Sequence, residues 1–145
     1  MDELALIEQH IKENKPEQFI RNCICCAEAT FIEVCEKGYY HLAKWMIERG
    51  NIIHSDKTAS LLWAINNRHT EIVKLLLDSG ADVNAEDNLL LCYAIETRDT
   101  EIVKVILDAG PDVHARDDYA LRMAKFHGDT ETVKLLEDWI EQRSE

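Results

Sequence analysis

The chain has 145 residues, 46% of them apolar, with 28 acidic against 16 basic residues and a formal charge of -12. That suffices for one packed domain and makes binding to nucleic acid unfavourable. Two prolines and five glycines leave little material for turns, which argues against an all-β fold. No apolar run approaches the roughly 18 residues of a membrane span.

The opening MDELALIEQHIKENK is acidic and amphipathic, unlike a secretory leader. Asp2 to Asn14 reads as one helix and Pro16 to Cys26 as another, with Pro16 suited to a first helical turn. Residues 1–27 are therefore expected to form an N-terminal cap or a divergent repeat. Of the five cysteines, Cys23, Cys25, Cys26 and Cys35 cluster near this segment, and Cys92 lies apart. An odd count without a leader points to reduced thiols and a cytoplasmic location. A structural zinc site wants four ligands, usually as two spaced pairs. The second pair is missing, so the cysteines read as small buried apolar residues.

From residue 28 onward the chain repeats itself. Gly50, Gly80 and Gly110 are thirty residues apart, and Gly38 and Gly128 share a second register. The segment His69 to Gly80 (HTEIVKLLLDSG) matches Asp99 to Gly110 (DTEIVKVILDAG). Asp129 to Leu136 follows the same line, and Tyr40 to Ile47 is a looser copy. Four units are expected, at 28–56, 57–86, 87–116 and 117–145. Each reads as two short helices and a connector. In the third, Leu89 to Ile95 forms the first helix, Glu96 to Asp99 the turn, and Asp99 the N-cap of the second. Ile102, Val103, Ile106 and Leu107 make its inward stripe and Gly110 ends it. The connector Pro111 to Asp117 looks too short and polar for a helix. Neither helix could bury its stripe alone, so the units must stack into one core. In the last unit Glu137 replaces Leu77 and Leu107, as a solvent-facing end requires.

The strings GADVNAED, GPDVHARD and TEIVKLLLDSG closely resemble the ankyrin repeat, from about residue 28 to the C-terminus. Two features depart from the family pattern. The T-P-L-H opening of the first helix is replaced by ASLL, LLLC and YALR. The period is thirty rather than about 33, with the loss falling in the finger loop. Stretches such as ARDDYALRMAKFHGDTETVKLL are similar to the short repeats of giant viruses of amoebae. The resemblance implies an all-α solenoid of helix-turn-helix units with shortened fingers.

It also implies a concave face that binds protein. Carried over by position, its finger residues are Asp56, Lys57, Asp87, Asn88, Asp117 and Asp118. The first helices contribute Asn66, Asn67, Glu96, Thr97, Phe126 and His127. Trp63, Tyr93 and Met123 share one repeat position, which reads as core, whereas Phe126 is expected in solvent as a hot spot. Asn84 matches the finger asparagine that is hydroxylated in some family members; its plainer role is a hydrogen bond within the finger.

No nucleophile, base and orienter pattern, phosphate loop or calcium loop is recognisable, so no enzymatic activity and no cofactor are expected. The reading is a non-enzymatic interaction module (scaffold, adaptor or viral effector in the host cytoplasm), monomeric or weakly oligomeric. Its acidic fingers predict a partner of basic or mixed charge, without membrane or direct nucleic-acid binding. The alternatives are a thiol or zinc module built on Cys23, Cys25, Cys26 and Cys35, and an acidic mimic that blocks a nucleic-acid-binding protein.

Overall fold

A computed structural model describes residues 3–13, 31–49 and 54–143. Its elements are α1 (Glu3–Lys12), α2 (Phe31–Lys37), α3 (Tyr40–Glu48), α4 (His54–Asn66) and α5 (Thr70–Asp78). They continue as α6 (Ala85–Thr97), α7 (Thr100–Asp108), α8 (Ala115–Phe126) and α9 (Thr130–Arg143). Among the described residues there is no strand. From α2 onward the helices alternate as first and second members of a pair, and the second helices begin at residues 40, 70, 100 and 130. The thirty-residue period of the sequence is thus the period of the fold.

The first helices α2, α4, α6 and α8 pack side by side in one row, and α3, α5, α7 and α9 form a second row behind them. Helix α1 packs on α3 and so extends the second row. Between the rows lies a core built from repeated positions. Ala64, Ala94 and Ala124 are fully buried where paired helices approach closely. Met46, Leu76, Ile106 and Leu136 form one aliphatic ladder, and Ala43, Val73 and Val103 another. The predicted stripe of Ile102, Val103, Ile106 and Leu107 is buried throughout. Each such side chain contributes roughly 1.5–3 kcal/mol on burial, and most of the contact is with a neighbouring helix. A single unit would therefore not hold together.

The ladder of Leu42, Ile72 and Ile102 ends in Thr132, a buried polar residue. Its hydroxyl donates to Asp129 Oδ2 at 2.5 Å, so it enters the core with its hydrogen bond made. Asp129 Oδ1 also accepts the Thr132 N–H at 3.3 Å, capping α9. The Thr132 bond is the main cause that holds the Asp129 carboxyl below its usual value. Asp99 caps α7 as expected, accepting from the N–H groups of Glu101 and Ile102.

Helix α3 is capped differently, since the side chain of its N-cap residue Tyr39 does not cap it. Glu8, on α1 and only 7% exposed, inserts its carboxylate instead. Glu8 Oε1 accepts the His41 N–H at 3.0 Å and lies 2.8 Å from His41 Nδ1; Oε2 accepts the Leu42 N–H at 2.6 Å. A negative group at a helix N-terminus is favoured by both the orphan amides and the dipole. These bonds, with the burial of Leu4 and Ile7 in the common core, fasten α1 to the stack.

The expected connector changes most. Pro111 to Asp117 was read as non-helical, yet α8 begins at Ala115 and α6 at the equivalent Ala85. The physical reason is a pair of side-chain turns. Asp82 Oδ1 accepts the Asn84 N–H at 2.9 Å, and Asp112 Oδ1 accepts the His114 N–H at 3.1 Å. Each aspartate curls the chain into helical geometry within two residues. Left-handed residues then follow, Asn88 at φ 71° in α6 and Asp117 and Asp118 at 55° and 58° in α8. Asn and Asp tolerate that region better than other side chains.

Candidate functional site

The residues assigned to finger tips do not stand on loops. Lys57, Asn88, Asp117 and Asp118 lie in the opening turns of α4, α6 and α8. Asp56 and Asp87 fall in the same helices, and their side chains lie outside those described. Lys57 is half-buried and Nζ donates to the Ser79 carbonyl at 3.1 Å, tying α4 to the end of α5.

Asn88 is corrected more sharply. It is 2% exposed, and Nδ2 donates to the Asp112 carbonyl at 2.9 Å. It holds two connectors together and offers nothing to a partner, because its left-handed backbone turns the side chain into the stack. Asp117 is exposed, and its carbonyl accepts from Arg122 Nε at 3.1 Å. Asp118 lies 2.5 Å from His114 Nδ1.

Asn84 links adjacent connectors too. Its Oδ1 accepts the Asp112 N–H at 2.7 Å, across twenty-eight residues of sequence. Together with the Asn88 bond to the Asp112 carbonyl, this secures both backbone groups of Asp112. The hydrogen-bonding role expected of Asn84 is therefore met, with the bond running to the next unit.

At the other end of the first helices, Asn66, Asn67 and Glu96 are exposed, and Thr97 is half-buried. Asn67 Nδ2 donates to the Trp63 carbonyl, and the Thr97 hydroxyl to that of Ala94, so both brace their own helix ends. Asn66, Arg68, Tyr93, Glu96 and Thr97 line one shallow cleft between α4 and α6. Phe126 is 86% exposed, as expected, with the His127 ring edge-on to it at 5.5 Å.

The ladder of Trp63, Tyr93 and Met123 departs from expectation. Trp63 is 44% and Tyr93 37% exposed; Met123 alone is largely packed against the core. Core contact between paired helices falls to the small Ala64 and Ala94, which leaves the preceding bulky side chain outside. Tyr119 is also exposed, with the Arg122 guanidinium 5.6 Å from its ring. Sequence reasoning missed Trp63, Tyr93 and Tyr119. Short-range spacing does not separate them, since Met123 likewise precedes a buried alanine, Ala124, and yet packs against the core.

The thiol reading gains nothing. Cys23, Cys25 and Cys26 lie outside the described residues. Cys35 is fully buried, and burial pushes its thiol up to about 12 against the smaller effect of the Ser60 hydroxyl. A buried thiol held in its protonated form is a poor nucleophile. Among the described residues no three His, Cys, Asp or Glu side chains are placed to hold a metal ion. No helix there is long and apolar enough to cross a membrane.

A family model described as ankyrin repeats (3 copies) matches residues 4–87 and 31–117. No curated protein matches the chain.

Proposed function

The chain belongs to the ankyrin repeat family, and from that premise we propose that it is a non-enzymatic module holding a partner protein against its row of first helices. Ankyrin repeats are in general protein–protein interaction modules. The observation that carries the choice of face is the distribution of exposed apolar side chains. Among the described residues the large ones are Leu6, Trp63, Tyr93, Tyr119 and Phe126, and four of these five stand on α4, α6 and α8. Aromatic anchors in solvent are the side chains that dominate protein interfaces when covered. The second row, by contrast, exposes mainly charged residues such as Glu71, Lys74, Asp78, Glu101 and Lys104.

Asn66, Asn67, Glu96, Asp117, Phe126 and His127 fit this face as polar and aromatic contacts. Asn88 is excluded by its burial. A partner of mixed charge suits acids at the connector end and cations at the turn end. A role as scaffold, adaptor or effector in the cytoplasm, acting as a monomer or weak oligomer, is the form this takes.

The test is capture of the partner from native cells with wild-type protein and two sets of variants. Trp63→Ala with Phe126→Ala should abolish capture, and Lys74→Glu with Lys104→Glu should leave it intact. The reverse pattern would place the interface on the second row and overturn the proposal.

A further inference from the structure

The grooves between neighbouring second helices are finished differently. Trp139, on α9, stands thirty residues after Ala109, which lies just past the end of α7. Its indole Nε1 donates to the Leu107 carbonyl at 3.0 Å, so the ring covers the end of α7 in the groove between α7 and α9. Leu107 there is 3% exposed, and Pro111 is buried. Between α5 and α7 the residue in that register is the exposed Ala109, whose methyl group is too short to reach across. Leu77 and Ala81, the counterparts of Leu107 and Pro111, are left half-buried. They border a cleft of about 570 Å³, within the roughly 300–1,000 Å³ of ligand sites. The Leu77 carbonyl accepts the Gly80 N–H at 3.1 Å, and the Leu107 carbonyl accepts that of Gly110 at 3.0 Å. A carbonyl has two lone pairs, and Trp139 shows what the second can take.

The charge around the cleft selects a companion for the ring. The exposed carboxylates Glu71, Asp78, Glu101 and Asp108 line it, against the exposed ammonium groups of Lys74 and Lys104. Asp78 and Asp108 are the last residues of α5 and α7, where the helix dipoles add negative potential. A cation is therefore favoured at the end of the cleft that holds Leu77 and Ala109. Twice this chain itself sets a guanidinium over an indole four residues earlier. Arg143 lies 4.3 Å from the centre of the Trp139 ring, and Arg49 lies 4.4 Å from that of Trp45. Each pair joins a flat apolar surface to a cation.

We infer that the cleft between α5 and α7 is a second binding site, separate from the first-helix face. It takes a tryptophan of a partner protein that carries an arginine one helical turn beyond it. The indole covers Leu77, Ala81 and Ala109 as Trp139 covers the end of α7, and its N–H donates to the Leu77 carbonyl. The arginine stacks on the outer face of the ring and meets Asp78 and Asp108.

The experiment uses the full chain and a labelled helical peptide of alanine and glutamine that holds one tryptophan and, four residues later, one arginine. Binding is followed by fluorescence anisotropy at about 0.15 M salt. The peptide should bind saturably, shift the amide NMR signals of Leu77 and Ala109, and lose its affinity when its tryptophan is replaced by alanine. Ala109→Trp should fill the cleft from within and abolish binding, with wild-type circular dichroism and a urea midpoint no lower than before. If that variant does not fold, Asp78→Lys with Asp108→Lys supplies the test and should weaken binding roughly tenfold or more. Equal binding of the tryptophan-free peptide would reduce the cleft to an acidic patch and overturn the inference. Binding lost in Trp63→Ala with Phe126→Ala but kept in Ala109→Trp would seat the peptide on the first-helix face, overturning this site alone. Self-association in sedimentation that both Trp63→Ala and Ala109→Trp abolish would put a second copy in the cleft and overturn it. No binding at about 1 mM peptide would overturn it as well.

Discussion

The first boundary of the stack and the two that follow solve one backbone problem with different side chains. At the turn between first and second helix, residues 38, 68, 98 and 128 all have left-handed backbones. Gly38 has φ 81°, Arg68 61°, Arg98 57° and Gly128 68°. At the two inner boundaries the arginine reaches forward to a carbonyl of the next turn, and the bond offsets the strain of a left-handed side-chain residue. At the first boundary the link runs backward. His69 Nε2 donates to the Glu36 carbonyl at 2.8 Å, and its ring fills the space that a Cβ on Gly38 would occupy. At Gly128 no neighbour lies within reach, and glycine there serves the backbone alone. The conformation is common to the repeat; the residue that adopts it depends on what the next turn supplies.

The largest expected effect is at the first boundary. A Cβ at residue 38 would meet the His69 ring at 2.6 Å in a backbone that already disfavours it. Gly38→Ala should therefore destabilise the protein by about 2–4 kcal/mol, combining left-handed strain with a lost hydrogen bond. Urea unfolding measures this, and His69→Ala in the same chain should recover part of the loss. A wild-type midpoint for Gly38→Ala would show that the ring moves aside freely.

The caps of the second helices extend the comparison. Glu8 serves α3 from another helix, through two backbone N–H groups and the His41 ring, while Asp99 serves α7 from its own N-cap. Glu8→Ala is expected to cost about 2 kcal/mol, since it strands buried donors and frees α1. Asp99→Ala should cost about 1 kcal/mol. Hydrogen exchange should show α1 released in the first variant and unaffected in the second. Equal effects would mean that α1 contributes nothing to α3.

Arg98→Gly isolates the arginine turn. It removes a strain of about 1–2 kcal/mol and a bond of about 1 kcal/mol, so its net effect should lie near zero. A large loss would show that the forward bond, rather than the turn, sets the spacing of the third and fourth units.

The smallest effect concerns the last cap. The Thr132 hydroxyl, with backbone bonds and the charge of Arg98 behind it, holds the Asp129 carboxyl below its usual value. A carboxyl lowered on folding stabilises the folded state above its unfolded pKa and loses that contribution as pH falls through the folded one. Acid unfolding should thus draw partly on Asp129, and carbon-13 NMR titration should show Thr132→Val moving it back toward 3.8. No shift in that variant would assign the depression to the backbone bonds.

Much of this was legible beforehand because it depends on periodicity. The glycine registers, the inward stripe of Ile102, Val103, Ile106 and Leu107, the cap at Asp99 and the exposure of Phe126 follow from local spacing. What failed does not. Asn88 looked like a finger residue, and Trp63 and Tyr93 looked like core. Asn88 turns inward on a left-handed backbone, and Trp63 and Tyr93 are left outside by the buried Ala64 and Ala94 beside them; spacing along the chain specifies neither.

The sequence by itself determined the unit, its length and its order, since backbone propensity and the burial of one apolar stripe per helix act within about thirty residues. Only the stacked structure decided which residues join the units: Glu8 into α3, His69 against Gly38, Arg68 and Arg98 onto the next turn, and Asn84 with Asn88 around Asp112. It also left four of the five large exposed apolar side chains among the described residues on the first row. Those outcomes depend on groups some thirty residues apart meeting in space, which spacing within one unit does not specify.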